Sequence, residues 1–412
     1  MIRSMSSAIS GMRNHQLMLD VVSSDISNVS TIGFKSSNIL FSDVLSQTLQ
    51  AGDPQGVVAG TNPAQVGLGS RLAGTAQNFA QGALQRTGRT TDLAIEGDGF
   101  FIVNNANAQL YTRNGSFSFD AQGNLSTADG WYVMGWQADP DGMIDPTGPL
   151  TRLRVPIGSA MAPVQTTEVS VSGNLNAAAA IGTRVSNSVA AYNAQGAEVV
   201  LNVSYTKTAA NQWTVSATHG DPATQITLTD NVLTFDITGE LTIPVDRNIN
   251  IAAGQIPGIT EAMTIEMGAA TTPNRVTQYG SQTNVSVIGQ NGSFAGALQS
   301  FNVSNGGSIM GVYSNGKSVQ VGQVAISVFT NPQGLERVAG GWRETGNSGL
   351  PQIGQAASFG RGKISAGTLE LSNVDLAEEF SRLVVAQRGF QGNARVITAS
   401  DEILQEVVRL GR

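Results

Sequence analysis

The chain has no cysteine. That removes disulfides, thiolate metal centres and thiol nucleophiles together. Histidine is nearly absent too, with only His15 and His219. Charge is scarce: Asp, Glu, Lys and Arg make up 13% of 412 residues, against roughly a quarter in an ordinary soluble domain. The formal net charge is −7 with no Lys/Arg-rich run, so nothing attracts a phosphate backbone and nucleic-acid binding is disfavoured. No apolar run approaches the roughly 18–20 residues of a membrane span. The first ten residues, Met1 to Ser10, lack the continuous apolar stretch of a cleaved signal peptide. Export, if it occurs, is expected by another route.

What is abundant is glycine, 48 residues, together with Asn, Ser, Thr, Gln and Ala. Such a composition suits short strands, many turns and subunit packing. The length implies two or three domains.

The ends read differently from the middle. Met5, Met12, Leu19 and Ile26 stand seven apart, with Ala8, Val22 and Val29 on the second seam and His15 as its one off-pattern site, a helix-packing residue. This is a coiled-coil pattern over about four heptads, ending near Asn28–Gly33. At the other end Leu376, Leu383, Phe390, Ile397 and Leu404 repeat every seven residues. Phe380, Ala394 and Val408 take companion positions, while Gln387 and Asp401 interrupt them. Ser372, Asn373 and Asp375 are cap candidates before a negative first turn of Glu378 and Glu379, and Arg409 and Arg412 suit the other pole. The first helix has Arg3 and Arg13 early and Asp20 and Asp25 late, the wrong sense for its dipole. An antiparallel pairing brings Asp20 and Asp25 toward Arg382 and Arg388, and Arg3 toward Asp401, Glu402 or Glu406. Both helices are expected to be largely disordered in the free monomer and to order on assembly.

Between them the chain reads as β structure. Residues 34–85 give an irregular connector broken by Gly52, Pro54, Gly56, Gly60, Pro63, Gly67 and Gly69. Strands follow at Leu93–Ile95 and Phe100–Val103 around a Gly97-Asp98-Gly99 turn. Asn114-Gly115 reads as a hairpin turn between Tyr111 and Phe117/Phe119; Asp120–Gly123 turns again, and Trp131–Trp136 is a further strand. Because the ends must meet, the β domains are nested. The expected layout is a helical coiled-coil domain of 1–33 with 373–412, a connector at 34–85, an inner β domain of 86–150 with 291–372, and an outer, barrel-like β domain at 151–290. The fold class is mainly β with paired terminal helices.

No catalytic constellation emerges: no Gly-x-Ser-x-Gly, no phosphate loop, no dinucleotide fingerprint. No enzyme, cofactor or metal is expected. Asp139-Pro140-Asp141-Gly142-Met143-Ile144-Asp145 could wrap a calcium ion, but Asp-Pro-Asp-Gly is also an ordinary turn, and the turn is preferred. Trp131, Trp136, Trp213 and Trp342 are scattered and read as core residues rather than a sugar platform.

Three blocks carry a resemblance. Ser4-Met5-Ser6-Ser7-Ala8-Ile9-Ser10-Gly11-Met12, running to Asp25-Ile26-Ser27-Asn28-Val29-Ser30-Thr31-Ile32-Gly33-Phe34-Lys35, resembles the N-terminal signature of bacterial flagellar rod and hook proteins. Thr87-Gly88-Arg89-Thr90-Thr91-Asp92-Leu93-Ala94-Ile95-Glu96-Gly97-Asp98-Gly99-Phe100-Phe101 resembles their next shared block. Leu369 to Leu376, Ala386 to Gln391 and Ser400 to Glu406 are similar to their C-terminal signature. Within the family the insertion at 151–290 points to a hook subunit, the flexible joint that passes torque from rod to filament. The alternatives are a distal rod protein, or, outside the family, a secreted β-rich adhesin.

The resemblance implies homopolymerisation through the two terminal helices, and contacts with distal rod, hook cap and hook-filament junction proteins. It also implies export through a type III apparatus to an extracellular hook, without a cleaved signal peptide and without membrane insertion. Phe41 and Leu45, in Phe41-Ser42-Asp43-Val44-Leu45, resemble an export-gate motif; the competing reading is an apolar turn.

Overall fold

A computed structural model describes residues 2–50, 62–105, 108–139, 142–158, 160–220 and 224–410. Expectations placed on Gly52, Pro54, Gly56, Gly60, Pro140, Asp141 and Arg412, and on the side chain of Arg3, lie outside the described residues.

Two long helices bracket the chain, α1 (Ile2–Ser27) and α2 (Leu376–Leu410). The chain divides into two compact units. One is built from Met1–Val155, Phe301–Met310 and Gln320–Arg412, the other from Pro156–Ser300 and Gly311–Val319. The second is thus inserted in the sequence of the first.

In the N-terminal part of the first unit the strands include β1 (Ser37–Asp43), β2 (Ser46–Gln50), β3 (Ala64–Gly67), β4 (Ser70–Gln77), β5 (Leu84–Arg86), β6 (Leu93–Glu96), β7 (Phe100–Asn105), β8 (Ala108–Thr112), β9 (Phe117–Phe119), β10 (Leu125–Thr127) and β11 (Tyr132–Gln137). The first four correct the expectation of an irregular connector. β1 runs antiparallel to β4 from Ser37↔Gln77 to Asp43↔Ser70, and β2 pairs with β3. Gly67 and Gly69 therefore mark the turn between two strands. The ribbon was missed because much of it faces solvent on both sides, which erases the alternating apolar pattern that betrays a strand.

The core of this unit comes from β7, β8 and β11 and the strand Ser318–Val328. Phe101 lies opposite Thr112 and Ile326, and Gly135 opposite Val324. Phe100 sits at the centre of an aromatic cluster, its ring 5.5 Å from Phe79, 5.4 Å from Trp342 and 5.9 Å from Phe329. Edge-on contacts of this kind add about 0.5–1.5 kcal/mol beyond the buried area. Trp136 and Trp342 are buried here and satisfy their indole N–H groups on Gly148 O (3.1 Å) and Gln77 Oε1 (2.6 Å). Trp213 is fully buried in the other unit, and Trp131 is half-buried.

Asn114-Gly115 is not the hairpin turn that the dipeptide suggested. β8 pairs with β7, whereas β9 pairs with β10. The segment instead crosses over Leu93, whose N–H reaches Gly115 O at 3.0 Å. Glycine is required at 115 because a Cβ would collide with the Leu93 carbonyl.

In the second unit two sheets, each of six strands among the described residues, share one core. One contains Glu168–Asn174, Asn248–Ile251 and Met263–Glu266; the other contains Arg184–Tyr192, Glu198–Ala209 and Gln212–His219. Strand Gln212–His219 buries every second residue, the period-2 signature of a half-buried strand.

The acidic run at 139–145 is described only at Asp139 and from Gly142 onward. Gly142 N–H donates to Asp139 O (2.8 Å), and Asp145 Oδ1 accepts from the Thr147 backbone and hydroxyl at 2.9 and 2.6 Å. Those bonds hold the Asp145 carboxyl below its usual range. Among the described residues no group of three acidic or histidine side chains could hold a metal ion.

Candidate functional site: the terminal helix pair and its anchor

The helices lie side by side. Gly11 faces Asn393, and His15 faces Gly389. Four residues forward on α1 correspond to four backward on α2, so the pair is antiparallel. A Cβ at Gly11 would stand 2.6 Å from Asn393 Nδ2, and one at Gly389 would enter the His15 ring. The seam is therefore one of close approach. Ala8, Asn14, Val22 and Asp25 are buried on α1, and Glu379, Ala386 and Ser400 on α2. β4 closes one side of α1: Asn14 Nδ2 donates to Ser70 Oγ at 2.7 Å, and Gly69 packs against Ser10.

This arrangement corrects the expected seam. The α1 series Met5, Met12, Leu19 and Ile26 is only half-buried, while its companion line through Ala8 and Val22 carries the contact. On α2 the contact runs along Glu379, Ala386, Gly389, Asn393 and Ser400. Leu376, Phe390 and Leu404 are exposed, and Leu383 and Ile397 are half-buried. Leu383 and Phe390 sit about a quarter-turn round the cylinder from the inner line. Phe380, 53% exposed, and Val384 widen this stripe. The heptad reading found the large residues. It misplaced what they touch, because small residues allow two helices to approach most closely.

The expected cross-helix ion pairs are replaced as well. Arg382 binds Glu378 and, at 3.3 Å, Glu379 on its own helix, and it donates to Asn38 Oδ1. Among the described residues no ion pair joins α1 to α2. Asp25 instead accepts the Ser37 N–H at 2.9 Å. Burial raises its carboxyl despite that bond and the nearby Arg337 and Arg382. Glu379 is raised mainly by burial, with Asp25 adding to the shift and Arg382 opposing it; its Oε2 has no hydrogen-bond partner. Both carboxylates are thus raised by burial where the helices leave the β structure. Asp375 caps α2, accepting from the N–H groups of Ala377 (2.8 Å) and Glu378 (3.3 Å).

Just below lies an anchor that sequence reasoning missed. Glu370 is buried and accepts Lys35 Nζ (2.6 Å), Gly82 N–H (2.9 Å) and an Arg113 Nη at 3.3 Å. Lys35 also donates to Ala80 O (2.8 Å), and Arg113 to Gly97 O (2.9 Å). The Glu370 carbonyl takes the Gly33 N–H at 2.8 Å. Burial pulls both cations below their usual range, with Glu370 opposing the shift. Asn373 adds a second clasp, accepting Ser36 N–H and donating to Asn78 O and Ala80 O. Segments far apart in sequence are locked at one point, between the end of α1 and the start of α2. The available signal was that Lys35 and Glu370 each stand within a block of the family resemblance.

Phe41 lies in β1 and is exposed; Leu45, 68% exposed, follows it and holds Leu68 N–H on its carbonyl at 2.9 Å. The two sit on a paired strand and its continuation, which corrects the apolar-turn reading.

The chain is similar to known proteins. Residues 365–410 match the family model for the flagellar basal body rod FlgEFG protein C-terminal region. Residues 94–177 match the flagellar hook protein FlgE/F/G D1 domain, and residues 165–293 the flagellar basal body protein FlaE D2 domain. Over its full length the chain is 35% identical to flagellar hook protein FlgE of Borreliella burgdorferi, all of which is covered. It is 34% identical to FlgE of Salmonella typhimurium, over 99% of this chain and 100% of that one. It is 29% identical to the basal-body rod protein FlgG of Bacillus subtilis, again with full coverage of both. The crystal structure of Helicobacter pylori FlgE2 superposes with a TM-score of 0.54 at 16% identity, covering 68% of this chain and 98% of that one, a likeness of fold.

Proposed function

The chain belongs to the flagellar hook protein family, and from that membership we propose that it polymerises into the flagellar hook and passes torque from rod to filament. The observation that carries the assembly role is the bare stripe on α2. Leu376, Phe380, Val384 and Phe390 are exposed while α1 packs along a different line of residues. Burying such side chains against neighbouring copies is worth about 1.5–3 kcal/mol each when complete.

In this reading residues 1–33 with 373–412 build the axial tube, 34–85 the joint, 86–150 with 291–372 the inner layer and 151–290 the outer layer. The subunit contacts other flagellar axial proteins and has no catalytic role. Export through the type III apparatus without a cleaved signal, read at Phe41 and Leu45, belongs to the same proposal. It is supported by the exposure of both side chains.

The test replaces Phe380 and Phe390 by Ser. Neither lines the inner seam, so helix content should persist while the critical concentration for assembly rises at least about tenfold, the equivalent of one half-buried large side chain. Unchanged assembly would refute the stripe as the polymerisation surface. Electron microscopy of the wild-type polymer separates a bending hook from the straight shaft expected of a rod protein.

A further inference from the structure

We propose that Asn305 is a site of hydrolytic self-modification, at which water converts the side-chain amide to a carboxylic acid through a cyclic imide. Four Asn-Gly pairs occur in the sequence: 114–115, 291–292, 305–306 and 315–316. Asn-Gly is the dipeptide in which the following backbone nitrogen attacks the Asn side chain most freely, since Gly has no Cβ to block it. All four share that chemistry, so the fold decides which reacts.

Three are locked. Asn114 Oδ1 accepts Ser116 N–H at 3.0 Å, and Gly115 is pressed against the Leu93 carbonyl. Asn291 Oδ1 accepts the N–H groups of Thr167 (3.0 Å) and Glu168 (3.1 Å), and its Nδ2 donates to Thr167 Oγ1 at 2.8 Å. Asn315 Oδ1 accepts Lys317 N–H at 3.1 Å, and its Nδ2 donates to Phe294 O at 2.9 Å. Each carboxamide must break at least one hydrogen bond before its Cγ can turn toward the next nitrogen.

Asn305 differs. It is exposed, and among the described residues its side chain makes no hydrogen bond. It occupies a tight turn closed by Gly307 N–H to Ser304 O at 2.9 Å. The space around Gly306 is open: a Cβ placed there would have Ser304 Oγ, at 3.8 Å, as its nearest neighbour.

The step balances with water alone. Hydroxide removes the Gly306 amide proton, and the nitrogen forms a bond to Asn305 Cγ. The C–N bond of the carboxamide breaks, and ammonia leaves with a proton. Water then opens the five-membered imide at either carbonyl. One opening leaves an ordinary aspartate in place of Asn305; the other leaves isoaspartate, with the main chain rerouted through the side chain. Either product adds a negative charge, and the isoaspartate also displaces the Asn305 carbonyl that accepts Ile364 N–H at 2.9 Å.

The test incubates the full-length protein at mildly alkaline pH and follows amide-to-acid conversion at the four sites by peptide mass spectrometry. Asn305 should convert at least about tenfold faster than each of the others, the factor set by one hydrogen bond held in the locked pairs. Repeating the incubation in denaturant should bring the four rates together. Gly306→Ala, which the open space and the ordinary φ at 306 accommodate, should slow conversion at 305 alone. Equal rates in the folded chain, or a ranking that survives denaturation, would overturn the proposal.

Discussion

Glu370→Gln is the sharpest probe of how the helix pair is held to the β structure. The substitution keeps volume and one carbonyl oxygen, so the Gly82 N–H can retain its acceptor. What it removes is the negative charge in contact with Lys35 Nζ at 2.6 Å and the Arg113 guanidinium at 3.3 Å, both cationic side chains being at most 3% exposed. Two cations are then left in a site that already disfavours their charge. Removing one partner of a buried pair costs about 3–5 kcal/mol, most of it the penalty of the stranded charge. Guanidinium unfolding followed by tryptophan fluorescence can isolate the effect. Trp131, Trp136 and Trp342 report the unit that contains Glu370, whereas Trp213 reports the other. In a Trp213→Phe background the remaining transition should lose about 3–5 kcal/mol. The transition seen through Trp213, in a chain carrying Trp131→Phe, Trp136→Phe and Trp342→Phe, should be unchanged. A loss below about 1 kcal/mol would place the ion cluster among pairs that contribute little and refute the anchor.

Two further predictions concern the seam. Gly389→Ala raises helix propensity by about 1 kcal/mol, yet the added methyl would enter the His15 ring, and overpacking costs about 1–3 kcal/mol. The net effect should be loss of helix pairing, read by far-ultraviolet circular dichroism and reversed by His15→Ala. Asp25→Asn should stabilise the chain near neutral pH, because burial holds the Asp25 carboxyl above its usual value. The folded state then binds the proton more tightly than the unfolded one, so the wild-type junction gains stability as pH falls and loses it as pH rises through the folded pKa. Thermal melts of the two proteins should converge in mild acid and separate above it; parallel curves would refute the assignment.

The sequence revealed whatever repeats. Seven-residue spacing located both helices, with α2 capped by Asp375 as its polar start suggested, and alternating Val/Ile/Phe located β6, β7 and β11. What it hid lacks periodicity or depends on contacts distant in the chain. The β1–β4 and β2–β3 ribbons alternate nothing, since polar Ser, Gln and Thr occupy both faces. The inner line of α2 is made of Ala386, Gly389, Asn393 and Ser400, residues that any scan for apolar heptads discards. The anchor couples positions 35, 113 and 370, and no local window contains more than one of them. Only the folded chain shows that Lys35 and Glu370 meet.

On the proposed function, the two faces of α2 divide the work of a polymerising helix. A seam of small residues fixes α1 and α2 closely within one chain and leaves little apolar surface to exchange, so it specifies a pairing without competing for other partners. Large residues are kept on a different face, where a half-exposed Phe380 or Val384 gains only when a neighbour arrives. Had Leu383 and Phe390 closed the intrachain seam, the free subunit would be more stable and the polymer correspondingly weaker. The buried carboxylates of Asp25 and Glu379, both raised by burial, weaken the helix base in the single chain, while Glu370 and Asn373 keep that base attached. The buried ionic clasp also reaches the aromatic core, since the Arg113 guanidinium that binds Glu370 lies over the Phe100 ring at 5.3 Å, so on the proposed function the attachment of α2 does not rest on the weak junction above it.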